Sequence, residues 1–201
     1  MNSAIERVAS IMNGFDAPWG IAGGWAIDLF LGHESRPHSD IDVAILRDDQ
    51  RQLRPRLAGG HVEKAIAHRL SEWAADESLA RPVHEVHVTW PDGFHLEFLL
   101  NEQDHAAGEW VFRRDERIRR SIAAAFVKGA DVPYLAPELV LLYKSKAPSS
   151  KDHADLEAVL PHLEAERRSW LGNALAIAAP GHQWAAILSP DTWINSITSR
   201  S

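Results

Sequence analysis

With 201 residues, 45% of them hydrophobic and 24% charged, the chain has the composition of a globular protein able to bury the core of one ordinary domain or two small ones. Its formal net charge of −7 argues against a nucleic-acid partner, which favours a basic groove, and is compatible with a cationic small molecule. Absence of cysteine excludes a disulfide framework and a thiolate zinc site; no apolar run reaches the roughly 18–20 residues of a membrane span, and no signal-peptide layout opens the sequence, so a cytoplasmic protein is expected.

Residues 5–15 place Ile5, Val8, Ile11 and Met12 at helical spacing and predict an amphipathic helix ending near Asn13 and Gly14. After a turn at residues 16–18, the short apolar run at 19–22 reads as a first, buried strand. Gly23 and Gly24 then lead into a helix-like run at 25–31, a polar turn at 32–39, and a strand at 41–46. Asp40 and Asp42 stand at i and i+2 of that last segment. Strand alternation has period two, so both carboxylates leave one face while Ile41 and Val43 enter the core.

Residues 48–57 look helical, with Arg51, Arg54 and Arg56 on a solvated face, and residues 61–75 read as a helical or mixed stretch. Residues 84–90 and 94–101 alternate strongly around the turn triplet Pro91-Asp92-Gly93 and predict a hairpin. On its second strand Phe94, Leu96, Phe98 and Leu100 share one face, His95 and Glu97 the other. A carboxylate in so apolar a strand needs a partner, because desolvating it alone is expensive. Metal would supply one.

Residues 110–120 begin β-like, and their five arginines, interleaved with Asp115 and Glu116, read as a solvated face. Residues 123–128 and 132–135 read as a strand pair about Gly129. Pro137 with Glu138 suits a helix start, and helices are expected at 139–146, 152–163 and 170–179. The chain thus divides at residue 135 into an α/β amino-terminal part, 1–135, and a helical carboxy-terminal part, 136–201. Most of the eight tryptophans are expected in the core or at its rim, a few at a ligand pocket.

The chemistry concentrates at residues 23–43. Two carboxylates on one rigid face suit a divalent cation such as Mg²⁺, which takes oxygen ligands. Glycines ahead of a helix N-terminus suit a phosphate, since unpaired backbone N–H groups point at it. Together they indicate a nucleotide-dependent transferase. Glu97 is the third carboxylate expected from the strand pattern; Glu85 and Asp92 compete for that place, although Asp92 suits the turn. Ser39 either reaches a phosphate or steadies the turn before Asp40. Arg36 and His38 are either ligand contacts or solvated loop residues, and Asp28 faces either the site or the helix surface. Lys151, Asp152 and Asp155 are expected to pair locally on their helix. The eleven histidines show no metal-ligand spacing.

Gly23-Gly24 followed by Ser39-Asp40-Ile41-Asp42 resembles the nucleotidyltransferase signature of the DNA polymerase β superfamily. The longer form, G-G-W-A-I-D-x-x-x-G…R-x-H-x-D-I-D, is similar to aminoglycoside 2''-nucleotidyltransferases and lincosamide nucleotidyltransferases, and residues 137–156 resemble their helical segment. The resemblance implies a minimal nucleotidyltransferase fold of the α/β (α+β) class, a mixed sheet flanked by helices and followed by a small helical part. It implies that Asp40, Asp42 and Glu97 bind Mg²⁺, and that Gly23, Gly24, Ser39, Arg36 and Lys144 serve the nucleotide. The implied reaction moves a nucleoside monophosphate, AMP from ATP, to a small-molecule hydroxyl with release of pyrophosphate. The implied partners are the nucleoside triphosphate and that acceptor, with neither nucleic acid nor membrane, on a monomer or homodimer. Relatives often carry Asp where Glu97 stands, and the longer side chain shifts this group from ligand towards general base. An antitoxin-type nucleotidyltransferase acting on a protein partner and a non-catalytic binding module are the competing readings. A glycosyltransferase would place its Asp-x-Asp after a larger nucleotide-binding half than the 39 residues ahead of Asp40.

Overall fold

In the computed structural model, which describes residues 2–67 and 69–188, helix α1 (Ser3–Ile11) starts where the Asn2 side chain accepts the Ala4 amide at 2.9 Å and buries Ile5 and Val8. Strand β1 (Trp19–Ile21), helix α2 (Gly23–Leu31) and strand β2 (Asp42–Leu46) follow in the expected order. Asp40 stands just ahead of β2, exposed, while Ile41 and Val43 are buried as alternation requires. Residues 47–57 are helical in three short pieces, with α3 (Gln50–Leu53) between two 3₁₀ turns; Pro55 lacks the amide that would prolong it.

Residues 61–75 correct the helical or mixed expectation. They form an antiparallel hairpin, β3 (His61–Ile66) with β4 (Arg69–Glu72). The alternation was invisible because β4 lies at the sheet edge with every residue exposed, and only Val62 of β3 is buried. The expected hairpin follows as β5 (Glu85–Thr89) and β6 (His95–Asp104). Strand β6 runs on to pair with β7 (Glu109–Val111), which pairs with β8 (Arg119–Ser121). A turn of helix, α4 (Ile122–Ala125), replaces half of the strand expected from residue 123; β9 (Phe126–Val127) and β10 (Tyr134–Leu135) then pair antiparallel. Helices α5 (Pro137–Lys144), α6 (Ser150–Val159), α7 (Ala165–Ala178) and α8 (Gln183–Leu188) complete the described chain. The remainder of the helical part expected to residue 201 lies outside the described residues.

The strands form one mixed sheet in the order β4-β3-β5-β6-β2-β1-β10-β9, with β7 and β8 branching from β6. β2 is parallel to β6 and antiparallel to β1. A core packs on each face. One gathers Ile5, Val8, Val43, Ile45, Trp73, Val86, Leu96 and Phe98; the other gathers Ala26, Ile27, Ala44, Trp110 and the apolar sides of α5 to α8. A strand covered on both faces reads as a continuous apolar run, and Val43 to Leu46 are all buried. Among the described residues no helix is long and apolar enough to cross a membrane.

Candidate active site

The polar break in the central strands positions the site. Asp42 opens β2 two residues before Ala44, on the face that looks to the carboxy-terminal helices. Its direct neighbour across the parallel pair is Glu97 of β6. Backbone bonds hold this register: the Ala22 amide donates to the Asp42 carbonyl at 2.8 Å and the Glu97 amide to the Ile41 carbonyl at 3.0 Å. The end of β1, the start of β2 and the middle of β6 are therefore stitched side by side, bringing together residues up to 75 positions apart in sequence.

Burial raises the Asp42 carboxyl to about 7, and the charges of Glu97 and Asp40 push the same way against the opposing pull of Lys144. Negative charge is thus concentrated beyond what the nearby cation offsets, the condition that a divalent cation relieves. Asp40 is the exposed member, its carboxylate accepting the Ser39 hydroxyl at 3.3 Å. A cavity of about 230 Å³ opens beside Asp42, walled also by Gly23, Leu99, Leu135, Tyr143 and Lys144.

Gly23 and Gly24 begin α2, and no side chain caps this helix start. Gly23 has φ +58, and a Cβ there would stand 2.0 Å from an Asp42 carboxylate oxygen; at Gly24 it would meet Arg36 and His38 at 2.5 Å. The pair lets the Asp42 carboxylate and the loop close onto the helix start, where no side chain caps the first-turn amides.

The loop between α2 and β2 is tied down by a residue whose role the sequence left open. Asp28, 4% exposed, accepts the Ser35 amide at 3.0 Å and its hydroxyl at 2.5 Å. It also accepts His38 Nε2–H at 2.5 Å, and Arg36 Nη1–H donates to His38 Nδ1 at 3.1 Å. An arginine can only donate, so this pattern fixes the Nε2–H tautomer of His38. The imidazole lies against Trp25, ring centres 4.6 Å apart. Asp28 is therefore engaged in holding the loop, and His38 is an internal brace.

Arg36 and Lys144 converge on the same acid. Arg36 donates twice to Asp155, at 3.1 and 3.2 Å, and Lys144 Nζ lies 3.0 Å from Asp155 and 2.6 Å from Asp152. Burial alone would lower the lysine pKa, but Asp152 and Asp155 outweigh it and the net shift is upward. Asp155, only 2% exposed, thus pairs across the molecule and not locally on α6 as expected; Asp152 does both, forming a capping box with Ser149. A helix pattern supplies i,i+4 partners only, so this convergence had no sequence signal.

Of the competitors for the third acidic place, Asp92 serves its turn, accepting the Phe94 amide at 3.1 Å, and pairs with Arg7. Glu85 lies on the site's face of β5 and adds to the charge felt by Asp42. The histidines depart from the sequence reading: His87 and His95 close on Glu97, the three offering ligand atoms within 4.8 Å of one another. Two adjacent strands supply them, so no single linear spacing marks the group; their shared strand parity with Glu97 was the available signal.

A family model described as aminoglycoside-2''-adenylyltransferase matches residues 4–159. Among solved structures, the solution structure of the antibiotic-resistance factor ANT(2'')-Ia superposes with a TM-score of 0.56 at 18% identity, over 92% of this chain and 93% of that one. ANT(2'')-Ia in complex with adenylyl-2''-tobramycin gives 0.54 at 18%, over 88% and 98%. The lincomycin-bound lincosamide antibiotic adenylyltransferase LnuA gives 0.55 at 15%, over 80% and 96%. At these identities the likeness is one of fold. No curated protein sequence matches the chain.

Proposed function

The chain belongs to the aminoglycoside-2''-adenylyltransferase family and is a nucleotidyltransferase, and on that premise we propose that it moves AMP from ATP to a hydroxyl of a small cationic acceptor of the aminoglycoside type. The observation that carries the reading is that Asp42, paired in register with Glu97, meets the uncapped start of α2 at one cavity that Lys144 also lines. Asp40, Asp42 and Glu97 would hold Mg²⁺, which when bound offsets the charge of the triphosphate and of the departing pyrophosphate.

The remaining steps belong to the chain's own groups. First-turn amides of α2 at Gly23 and Gly24 take phosphate oxygens. Arg36 adds positive charge beside the helix start and Lys144 adds it from the cavity wall, while Ser39 extends the polar edge beside Asp40. The acceptor hydroxyl attacks the α-phosphorus in line, the bond to the bridging oxygen of the β-phosphate breaks, and pyrophosphate leaves with the electron pair. A Glu97 carboxylate oxygen receives the hydroxyl proton. Residues 1–135 form the catalytic part of this scheme, and residues 136–201 close the acceptor side. The −7 net charge favours a cationic acceptor over an anionic one.

The test is pyrophosphate release from each of the four nucleoside triphosphates with Mg²⁺, against aminoglycosides, lincosamides and hydroxylated metabolites, with Asp42→Asn in parallel. Release that requires ATP and an aminoglycoside, and is lost in the variant, is the expected result. Silence across the panel with nucleotide binding intact would move the acceptor to a protein. Silence without nucleotide binding would end the catalytic reading.

A further inference from the structure

We propose that His87, His95 and Glu97 form a binding site for a zinc-class transition-metal ion on the same sheet face, at the edge of the transfer site. The site shares Glu97 with the proposed reaction and does not rest on that reaction. The three side chains are aligned by the sheet itself. His87 of β5 sits directly opposite Glu97 of β6 in the antiparallel register, and His95 precedes Glu97 by two residues, so all three leave one face.

The spacings are those of ligands around an ion. His87 Nδ1 lies 3.6 Å and His95 Nε2 3.7 Å from the same Glu97 oxygen, and the three ligand atoms all lie within 4.8 Å of one another. Hydrogen bonds of this type run to about 3.2 Å, so these separations are too long to be hydrogen bonds. Four ligands at about 2.0–2.1 Å from a tetrahedral ion stand roughly 3.3–3.4 Å apart, so closing onto an ion requires only small side-chain movement. The side chains are 17%, 38% and 28% exposed, open to a diffusing ion yet held by the strands.

One histidine is already oriented. Thr89 Oγ1 is 2.9 Å from His95 Nδ1; with Nδ1–H donating to that hydroxyl, the lone pair is on Nε2, the atom that faces Glu97. An outer bond of this kind orients metal-binding imidazoles. Glu97 pairs with both of these histidines. Two imidazoles and one carboxylate with a free fourth position make a donor set that Zn²⁺ takes with water, while Mg²⁺ prefers an all-oxygen shell. Carboxylates at Asp40 and Asp42 and imidazoles at His87 and His95 therefore sort two kinds of cation to either side of Glu97.

The test uses the full chain without an affinity tag, stripped of metal and free of nucleotide. Co²⁺ is titrated as a spectroscopic stand-in for Zn²⁺, and visible absorption reports a low-symmetry nitrogen-containing site. Saturable binding of a single ion is expected, displaced by Zn²⁺ and not by millimolar Mg²⁺. His87→Gln and His95→Gln should each weaken it more than about tenfold, Thr89→Val should weaken it less, and Asp42→Asn should leave the visible band in place. Circular dichroism confirms that each variant is folded. Absence of binding, or binding lost in Asp42→Asn and kept in both histidine variants, would overturn the proposal. Because no arm depends on catalysis, its failure and that of the transfer reaction are read separately.

Discussion

The carboxyl of Asp42 is raised from 3.8 to about 7 because burial strips water from it and Glu97 and Asp40 crowd it with like charge. Between those two values the folded, metal-free protein binds a proton that the unfolded chain has released, so this group lowers stability as pH rises through that window. Replacing it with a neutral amide removes the cost. Metal-free Asp42→Asn should therefore melt several degrees above the parent at pH 8, with the difference closing below about pH 4, as calorimetry at both values would register. Under the proposed reading Mg²⁺ would displace the same proton, so its affinity should climb as pH rises towards and past 7, measurable by titration calorimetry in two buffers of different ionisation enthalpy. In the proposed reaction Glu97 accepts the proton of the acceptor hydroxyl. Glu97→Gln keeps the size and loses the proton acceptor, and kcat should fall about 10²-fold or more while nucleotide binding changes much less.

Helix α2 and the loop behind it work as one element. The helix can begin where it does because Gly23 adopts φ +58 and leaves room for the Asp42 carboxylate. Gly23→Ala forces a Cβ into that carboxylate and a side chain into a left-handed backbone; it should cost about 1–3 kcal/mol and remove transfer activity, read from denaturant midpoints and pyrophosphate release. At the other end of α2, Asp28 gathers Ser35 and His38 and so sets the path by which the chain returns to Asp40. Asp28→Ala leaves the buried His38 donor and the Ser35 donors unmatched, and the loss should be about 1–3 kcal/mol with a weakened nucleotide affinity as the loop loosens. The pattern D-x-x-x-G…R-x-H was visible in the sequence, but its meaning as an internal brace was not. Periodicity says which face a side chain leaves and says nothing about which loop folds back over it.

At the scale of the molecule, the amino-terminal sheet and the carboxy-terminal helices are joined by buried acids as well as by the core between them. Asp155 of α6 receives Arg36 and Lys144, and Glu138 of α5, fully buried, receives Arg120 and Arg167. Removing one partner of such a group strands the others. Asp155→Ala should lower stability by about 3 kcal/mol in urea unfolding and free Lys144 from one of its two acids, so the KM for nucleotide should move while the circular dichroism spectrum stays that of the parent. Two of these residues had ordinary local explanations in the sequence, Glu138 as a helix-start acid and Arg120 as part of a solvated face; the tertiary fold gave both a distant partner. What the sequence by itself determined is the frame of the site: the β1–α2–β2 unit, the glycine pair, the acid pair, the β5–β6 hairpin and the carboxylate on its polar side. Each follows from a short-range rule, alternation, capping or turn chemistry, acting within about ten residues. Tertiary structure alone decided the exposed edge hairpin at 61–72, the parallel pairing that sets Asp42 beside Glu97, the convergence on Asp155, and the closing of His87 and His95 on Glu97. Those are contacts between strands and helices distant in sequence, chosen by which apolar faces bury together, and a local pattern carries no record of that choice.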